Sequence, residues 1–326
     1  MEFQKIIDLR HWQNIQDLFS SAIQISLRTI DKYGGIVVSP SNMPQICTQV
    51  ISGSSAAKKK CWRWFPQVAN QFKNQAPDAA FRENICPLGL FNITLPLNFN
   101  GAKDTCLIIG PLIKKEKREE FISALNTDEL GIDRQQFFES FNKLPVVSSD
   151  DLDWIIGSIQ SIVLFVAKLF VFEREHGDED FLKNKEAIAS LLKIFLELAT
   201  KLCKAEFGSV LVFEKSTQEL SIKEAKGLSQ EVVENTKIKP GEGIAGLTIA
   251  RRKAMFISDG LRDRDIRLRM HKPKTKSAFV IPVFSRQEVL GVICVATAKS
   301  PNNFSDKLMA LLNELVGIAL EKVTLE

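Results

Sequence analysis

The segment Lys239-Pro240-Gly241-Glu242-Gly243-Ile244-Ala245-Gly246 constrains the fold more than any other stretch of the chain. Its last six residues include three glycines. A loop this rich in glycine can cradle phosphate, but a phosphate loop ends in Lys-Ser/Thr at a helix start, and no such pair follows. An apolar turn follows instead, Ile244-Ala245-Gly246-Leu247, then Ile249 and Ala250. The spacing predicts a loop entering a short helix, with glycine where the backbone needs positive φ or a close approach. Three apolar runs come next: Ala254 to Asp259, Lys276 to Val283, and Leu290 to Val295. Each reads as a strand. Upstream, Ser209–Phe213 and Glu219–Lys223 alternate and predict a hairpin around Ser216-Thr217, followed by a short helix from Val232-Val233 to Lys237. Leu308, Leu311, Leu312, Leu315, Ala319 and Val323 predict a closing helix capped by Ser305.

Loop, strands and closing helix in this order resemble a GAF domain. The resemblance spans Asn184 to Val323. It implies a central antiparallel sheet flanked by helices, with Phe213, Gly243, Ile244, Phe256, Asp259, Phe279 and Ile281 around a ligand site. GAF domains bind cyclic nucleotides, tetrapyrroles, small metabolites or nothing. The chain lacks the Asn-Lys-x-x-x-Phe signature of cyclic-nucleotide binders, and Asn302 to Asp306 is only superficially related to it. Leu261 to Ser277 holds no cysteine for covalent bilin attachment. Cys203 and Cys294 are too scattered for the clustered thiols of GAF-type methionine sulfoxide reductases, so the expectation is no catalysis.

Length bounds the rest. The chain has 326 residues, enough for two domains with their own cores. A net charge of +4 is too small to argue for a nucleic-acid partner. The basic clusters Lys58-Lys59-Lys60 with Arg63, and Arg262 to Lys276, fit no nucleic-acid module and read as solvated faces. Met1 to Tyr33 is charged throughout and does not read as a signal peptide. Six cysteines without a paired framework fit a reducing compartment, and the expected location is the cytoplasm.

In the first half, Phe3 to Ile30 reads as helix, with Leu18, Ala22, Ile25 and Leu27 at helical spacing. A turn at Asp31 to Gly35 precedes a short strand, Ile36-Val37-Val38. Cys47 falls in a helical segment. Two strands are expected from Phe91 to Phe99 and from Thr105 to Gly110, around a turn at Asn100-Gly101.

From about Ile6 to about Phe172 this layout resembles the PocR-type ligand-binding domain, a PAS-like sensory domain of bacterial regulators. The resemblance rests on Asp31 and Gly34-Gly35 before a strand, on Cys47, Cys61 and Cys86 in order, on Gly89-Leu90, on Leu95-Pro96-Leu97 and on Ile108-Ile109-Gly110. It implies a sensor of small molecules, with Cys61, Trp64, Cys86, Leu90 and Leu95 around one pocket. Pro87 stands where the family tends to carry His, and Pro111 where it tends to carry Gln. Both departures remove polar groups from that pocket.

The three thiols leave two readings open. Cys47, Cys61 and Cys86 can hold zinc or an iron–sulfur cluster with a fourth donor. Without a CxxC pair they equally fit buried structural cysteines. Trp62, Trp64 and Phe65 likewise fit either a pocket wall or core filling.

Lys114 to Asn142 reads as charged helix with a turn near Asn126 to Gly131. A long helix then starts at Ser148-Ser149, apolar at Leu152, Ile155, Ile156, Ile159, Ile162, Val163, Val166, Leu169 and Phe170. Gly177 is expected to interrupt it. The run from Ile155 to Phe172 is barely long enough to cross a bilayer, and Ser158, Gln160, Ser161 and Lys168 argue for a buried or partner-facing helix instead. Its apolar stripe is wider than one face needs, which predicts a homodimer.

The expected fold is therefore α+β: a PAS-like sensory domain over 1–150, a helical connector over 151–183 and a GAF-like domain over 184–326. The expected function is a non-enzymatic cytoplasmic sensor. It binds a small molecule of unspecified identity in either pocket and signals through the joining helices to an output protein, with no nucleic acid and no membrane involved. The alternatives are a dimerisation module with degenerate pockets, or a thiol- or metal-dependent protein built on Cys47, Cys61 and Cys86.

Overall fold

Gln24 decides where the first helix stops. In the computed structural model of the chain, residues 3, 7–71, 81–97, 104–117, 119, 131–181, 185–258, 276–285, 288–298 and 306–324 are described. Helix α1 (Leu9–Ile23) is capped by Asp8, whose carboxylate accepts from the Arg10 N–H, and it ends at Gln24 in the left-handed region, φ 57°. The helix expected to reach Ile30 is thus seven residues too long at its C-terminal end: Leu27–Asp31 is strand β1. All of Leu27 to Ile30 is buried, so the alternation that marks a half-exposed strand is missing.

The chain divides into two compact units, Met1–Ala167 and Lys168–Glu326. The first holds a five-stranded sheet in the order β1-β4-β3-β2, with β5 beside β4. Its strands are β2 (Arg82–Ile85), β3 (Phe91–Pro96), β4 (Thr105–Lys114) and β5 (Val146–Val147). Pairing is antiparallel except for β4 with β5. Strand β4 runs four residues past the expected Gly110, through a cis Gly110–Pro111 bond. The expected strand at Ile36–Val38 makes only an isolated bridge from Ile36 to Ile30. Asn100-Gly101 and, in the helix expected from Lys114 to Asn142, residues 118 and 120–130 lie outside the described residues; of the rest, Lys115–Lys117 is a 3-10 turn and Arg134–Phe141 is helix.

One face of this sheet carries α1. The Trp12 indole donates to Thr29 Oγ1 at 2.8 Å, the Thr29 hydroxyl donates to Gln16 Oε1 at 2.7 Å, and Gln16 Nε2 donates to Ser39 O and Ser41 Oγ. The other face carries a π-helical turn, Ile46–Val50, and α2 (Ser55–Asn70), which Ser54 caps through the Ala57 N–H. The turn Asp31 to Gly35 lies against α2. A Cβ at Gly34 would sit 2.6 Å from Pro66 N, and φ there is +84°, so both space and backbone demand glycine. Helix α3 (Arg134–Phe141) contributes Phe137 and Phe141 to the core.

Helix α4 (Ser149–Phe181) is continuous through Gly177. The expected break there is absent, since a single glycine costs a helix only about 1 kcal/mol. Its apolar stripe is already covered within the chain: Ile159 is 2% exposed and Val166 is 0%. Leu164, at 50%, is its one large exposed apolar side chain among the described residues. Through Leu169, among the described side chains, most of the stripe on which the dimer expectation rested is buried in the single chain. By length and composition Ser149–Leu169 is the one described helix long and apolar enough to cross a membrane, and 61% of it is buried.

The second unit holds a six-stranded antiparallel sheet, β8-β7-β6-β11-β10-β9. The strands are β6 (Phe207–Glu214), β7 (Glu219–Lys226), β8 (Lys237–Ile238), β9 (Met255–Ser258), β10 (Ser277–Ser285) and β11 (Glu288–Thr297). The hairpin β6–β7 turns through Gln218 at φ 57°. Helices α5 (Lys185–Leu202), α6 (Gln230–Asn235), α7 (Gly243–Arg251) and α8 (Asp306–Thr324) complete it. Ser305 lies outside the described residues. Both units are mixed helix and antiparallel sheet, as the sequence led us to expect.

Candidate functional site

In the first unit the helical side of the sheet gathers the thiols. Cys47 comes from the π-helical turn, Cys61 from α2 and Cys86 from the end of β2. All three pack on one apolar cluster that includes Ile46, Ala57, Leu88, Leu90, Phe137 and Phe141. Trp64 and Phe65 belong to a neighbouring cluster with Ile30, Cys106 and Ile108. Their rings are 5.5 Å apart. Cys61, Cys86 and Leu90 are thus brought together and Trp64 lies beside them. Leu95 is not among them. It pairs with Leu107, which pairs with Thr29, and Thr29 faces α1; by alternation Leu95 faces that side too.

Burial governs the thiols. It pushes Cys61 up to about 11 and Cys86 up to about 12, and the nearby sulfur of Cys47 raises both further. Backbone N–H groups of Leu88 and Leu90 counter part of this at Cys86. Cys47 is also raised by burial, and Arg28 beside it works the other way. Burial thus keeps these thiols protonated at neutral pH, which makes them poor nucleophiles. No group of three His, Cys, Asp or Glu side chains is placed to hold a metal among the described residues. Three separate elements bring Cys47, Cys61 and Cys86 to one apolar cluster, near enough for their sulfurs to raise one another's protonation.

Arg28 is the residue that sequence reasoning missed. It is 8% exposed and points from β1 to the thiol side. Its Nε donates to Met43 Sδ at 3.1 Å, and its guanidinium carbon lies 5.6 Å from the Phe65 ring centroid. Its Nη2 is buried without a hydrogen-bond partner. The available signal was a lone cation between Leu27 and Ile30.

In the second unit, the glycine loop is built around one contact. A Cβ at Gly246 would lie 2.2 Å from Lys239 O. The Gly241 N–H donates back to Gly246 O at 2.8 Å, and Lys239 N–H donates to Glu242 Oε2 at 3.0 Å. Gly241 and Gly243 take positive φ. Gly243 opens α7, which packs on the sheet through an apolar cluster of Leu211, Leu220, Ala245, Ile249, Met255, Ile257, Ala278, Val280 and Val292. Phe213, Ile238, Ile244 and Leu247 are its partly buried border.

Of the residues expected around this site, Phe213 and Ile244 are there. Phe256, Phe279 and Ile281 are on the opposite face. Phe279 pairs with Phe256 and Val295, and Ile281 with Ile293. Val295 pairs with Gly208, whose open side meets Thr200 and Leu196 of α5. Strand alternation therefore turns all three aromatic and aliphatic side chains toward α5 and away from the loop. Asp259 lies outside the described residues. Cys294 packs on the α7 side, while Cys203 is buried just beyond the end of α5.

Two antiparallel sheets, each with helices on its faces and an apolar cluster beneath a glycine-bearing turn, define a tandem of sensory-type domains. Residues 5–170 match the sensory domain found in PocR, and residues 185–320 match the GAF domain. The chain belongs to the PocR sensory-domain family, with a GAF domain following, and this architecture carries a sensory, signal-transducing role. The whole sequence has no match among curated proteins. Among solved structures it is similar to the GAF domain from an Acinetobacter phosphoenolpyruvate-protein phosphotransferase, at 18% identity over 51% of this chain and 92% of that one, TM-score 0.40. It is also similar to free methionine-R-sulfoxide reductase from Neisseria meningitidis in complex with its substrate, at 16% over 51% and 90%, TM-score 0.39. A third is a GAF sensor protein from Burkholderia vietnamiensis, at 15% over 51% and 98%, TM-score 0.39.

Proposed function

We propose that the chain is a non-enzymatic cytoplasmic sensor whose first unit binds a small molecule on the thiol-lined side of its sheet and passes the bound state to an output protein. The observation that carries this is the convergence of Cys47, Cys61 and Cys86 on one apolar cluster beside the buried Arg28. Half-buried thiols and aromatics next to a single polar anchor are the composition of a small-ligand pocket. Binding there favours one arrangement of the π-helical turn and α2 over others, which is how a sensor shifts a population. The second unit offers an apolar site bordered by Phe213 and Ile244.

Free cysteines throughout the described residues support the cytoplasmic assignment. Thiols held protonated support the non-enzymatic one. The test is native mass spectrometry of gently purified full-length protein, followed by tryptophan fluorescence on adding back what is released. A bound small molecule whose return changes the Trp64 signal, and not that of a Trp64→Phe chain, is the expected result. A chain that carries nothing and whose melting temperature no small molecule shifts would refute the reading.

A further inference from the structure

The inference rests on the sensor reading above and deepens it by naming the chemistry of the ligand. Thr29 turns toward α1 and is hydrogen-bonded on both sides, to Trp12 and Gln16. Arg28 turns the other way, toward the thiols. Around its guanidinium lie a thioether, a thiol and an aromatic ring: Met43, Cys47 and Phe65. Its charge also reaches the Cys61 thiol. Among the described residues no carboxylate pairs with it.

Arginine does not lose its proton inside proteins. A buried charge without a partner is therefore a standing cost, and sulfur and a ring face recover little of it. Were the role structural, an apolar residue of similar volume would serve better. An uncompensated buried cation fits a protein whose partner anion arrives from outside.

We propose that Arg28 is the anion-binding residue of the first unit, and that its ligand is a small monocarboxylate with an apolar body. The carboxylate sits on the guanidinium edge that includes Nη2. The body lies against Phe65, Trp64 and the thiols of Cys47 and Cys61. One guanidinium offers the fork that a carboxylate matches. A phosphate dianion wants several strong donors, and the protonated thiols and apolar side chains nearby supply none. Met43 and Cys47 are only half-buried, and they are the side chains an incoming ligand displaces; a methionine moves aside at little cost.

The experiment uses the full chain and matched probes: benzoate against benzamide, butyrate against butyramide, and inorganic phosphate. Binding is read by thermal shift and calorimetry for the parent, Arg28→Met and Arg28→Lys. We expect at least one carboxylate to raise the melting temperature while its amide and phosphate do not. Arg28→Met then binds that carboxylate at least about tenfold more weakly, the scale of one charge-assisted hydrogen bond, and its unliganded form melts no lower than the parent. Arg28→Lys, which keeps the charge and loses the fork, falls between them. The proposal is overturned if an amide binds as well as its acid, if Arg28→Met keeps the affinity, if Arg28→Met does not fold, or if phosphate alone binds. Amide binding would overturn the carboxylate assignment and leave the sensor reading standing. A silent panel overturns the proposal. Taken with a chain that carries no bound compound, it removes the sensor reading as well.

Discussion

Substituting Val166 by Asp separates two roles for α4. Val166 is 0% exposed and Ile159 is 2% exposed in a single chain. If the helix is core, Val166→Asp forfeits about 2 kcal/mol of apolar burial. It also leaves an unpaired carboxylate inside, which costs about 3–5 kcal/mol more. The total of about 5–7 kcal/mol is comparable with the whole stability of a typical domain. The first unit should therefore unfold at room temperature, not merely lose a partner. Val166→Ala is the graded control, at about 1–3 kcal/mol. Leu164→Asp, at a side chain 50% exposed, should change stability by less than about 1 kcal/mol. Urea denaturation followed by circular dichroism gives the stabilities, and light scattering gives the mass. A Val166→Asp chain that keeps its unfolding midpoint, and only falls from dimer to monomer, would refute the core assignment.

Gly246→Ala should destabilise the second unit by more than about 2 kcal/mol and shift its melting selectively, because the added methyl would lie 2.2 Å from Lys239 O. Phe279→Ala should cost about 3–5 kcal/mol without altering ligand binding at the α7 side, whereas Phe213→Ala should alter that binding and cost less; calorimetry with any ligand of this unit distinguishes them. Alkali should weaken the fold through the buried thiols. Cys61, held at about 11, and Cys86, Cys106 and Cys203, held at about 12, are raised above their unfolded value near 9. Their contribution is complete below about pH 9 and is lost as pH rises through 11 to 12. Denaturation midpoints taken across that window should fall, and Cys86→Ala should lessen the fall; a flat profile contradicts the burial.

The glycine loop was legible because its constraint is local. Lys239 to Gly246 must double back within a few residues, and only glycine permits the contact that Gly246 makes. Strand β1 was not legible. Leu27 to Ile30 is buried on both faces, so it carries no period of two, and it follows a helix whose apolar spacing runs on smoothly. The alternation of Phe279 and Val280 could be read, but not which set α7 would cover. That depends on where the chain places the helix after leaving β8, which no short pattern encodes. The width of the α4 stripe could be read, but not what lies against it through Leu169: sequence gives how much surface is apolar, and only the tertiary structure says what covers it. Arg28 gives almost no local signal, since one arginine in an apolar strand looks like an ordinary edge residue.

Strand β1 divides two kinds of obligation between adjacent residues. On the Thr29 side, four polar side chains from α1, β1 and the following loop satisfy one another and hold the strand in place. On the Arg28 side, the guanidinium has a thioether, a thiol and a ring beside it and leaves Nη2 without a hydrogen-bond partner. Such a strand separates heritable architecture from adjustable chemistry. If Arg28 holds the ligand as proposed, exchanging Arg28, Cys47 or Cys61 would change what is recognised while the Trp12–Thr29–Gln16 lock holds the framework. New specificity would then arise by single substitutions on one face of the strand.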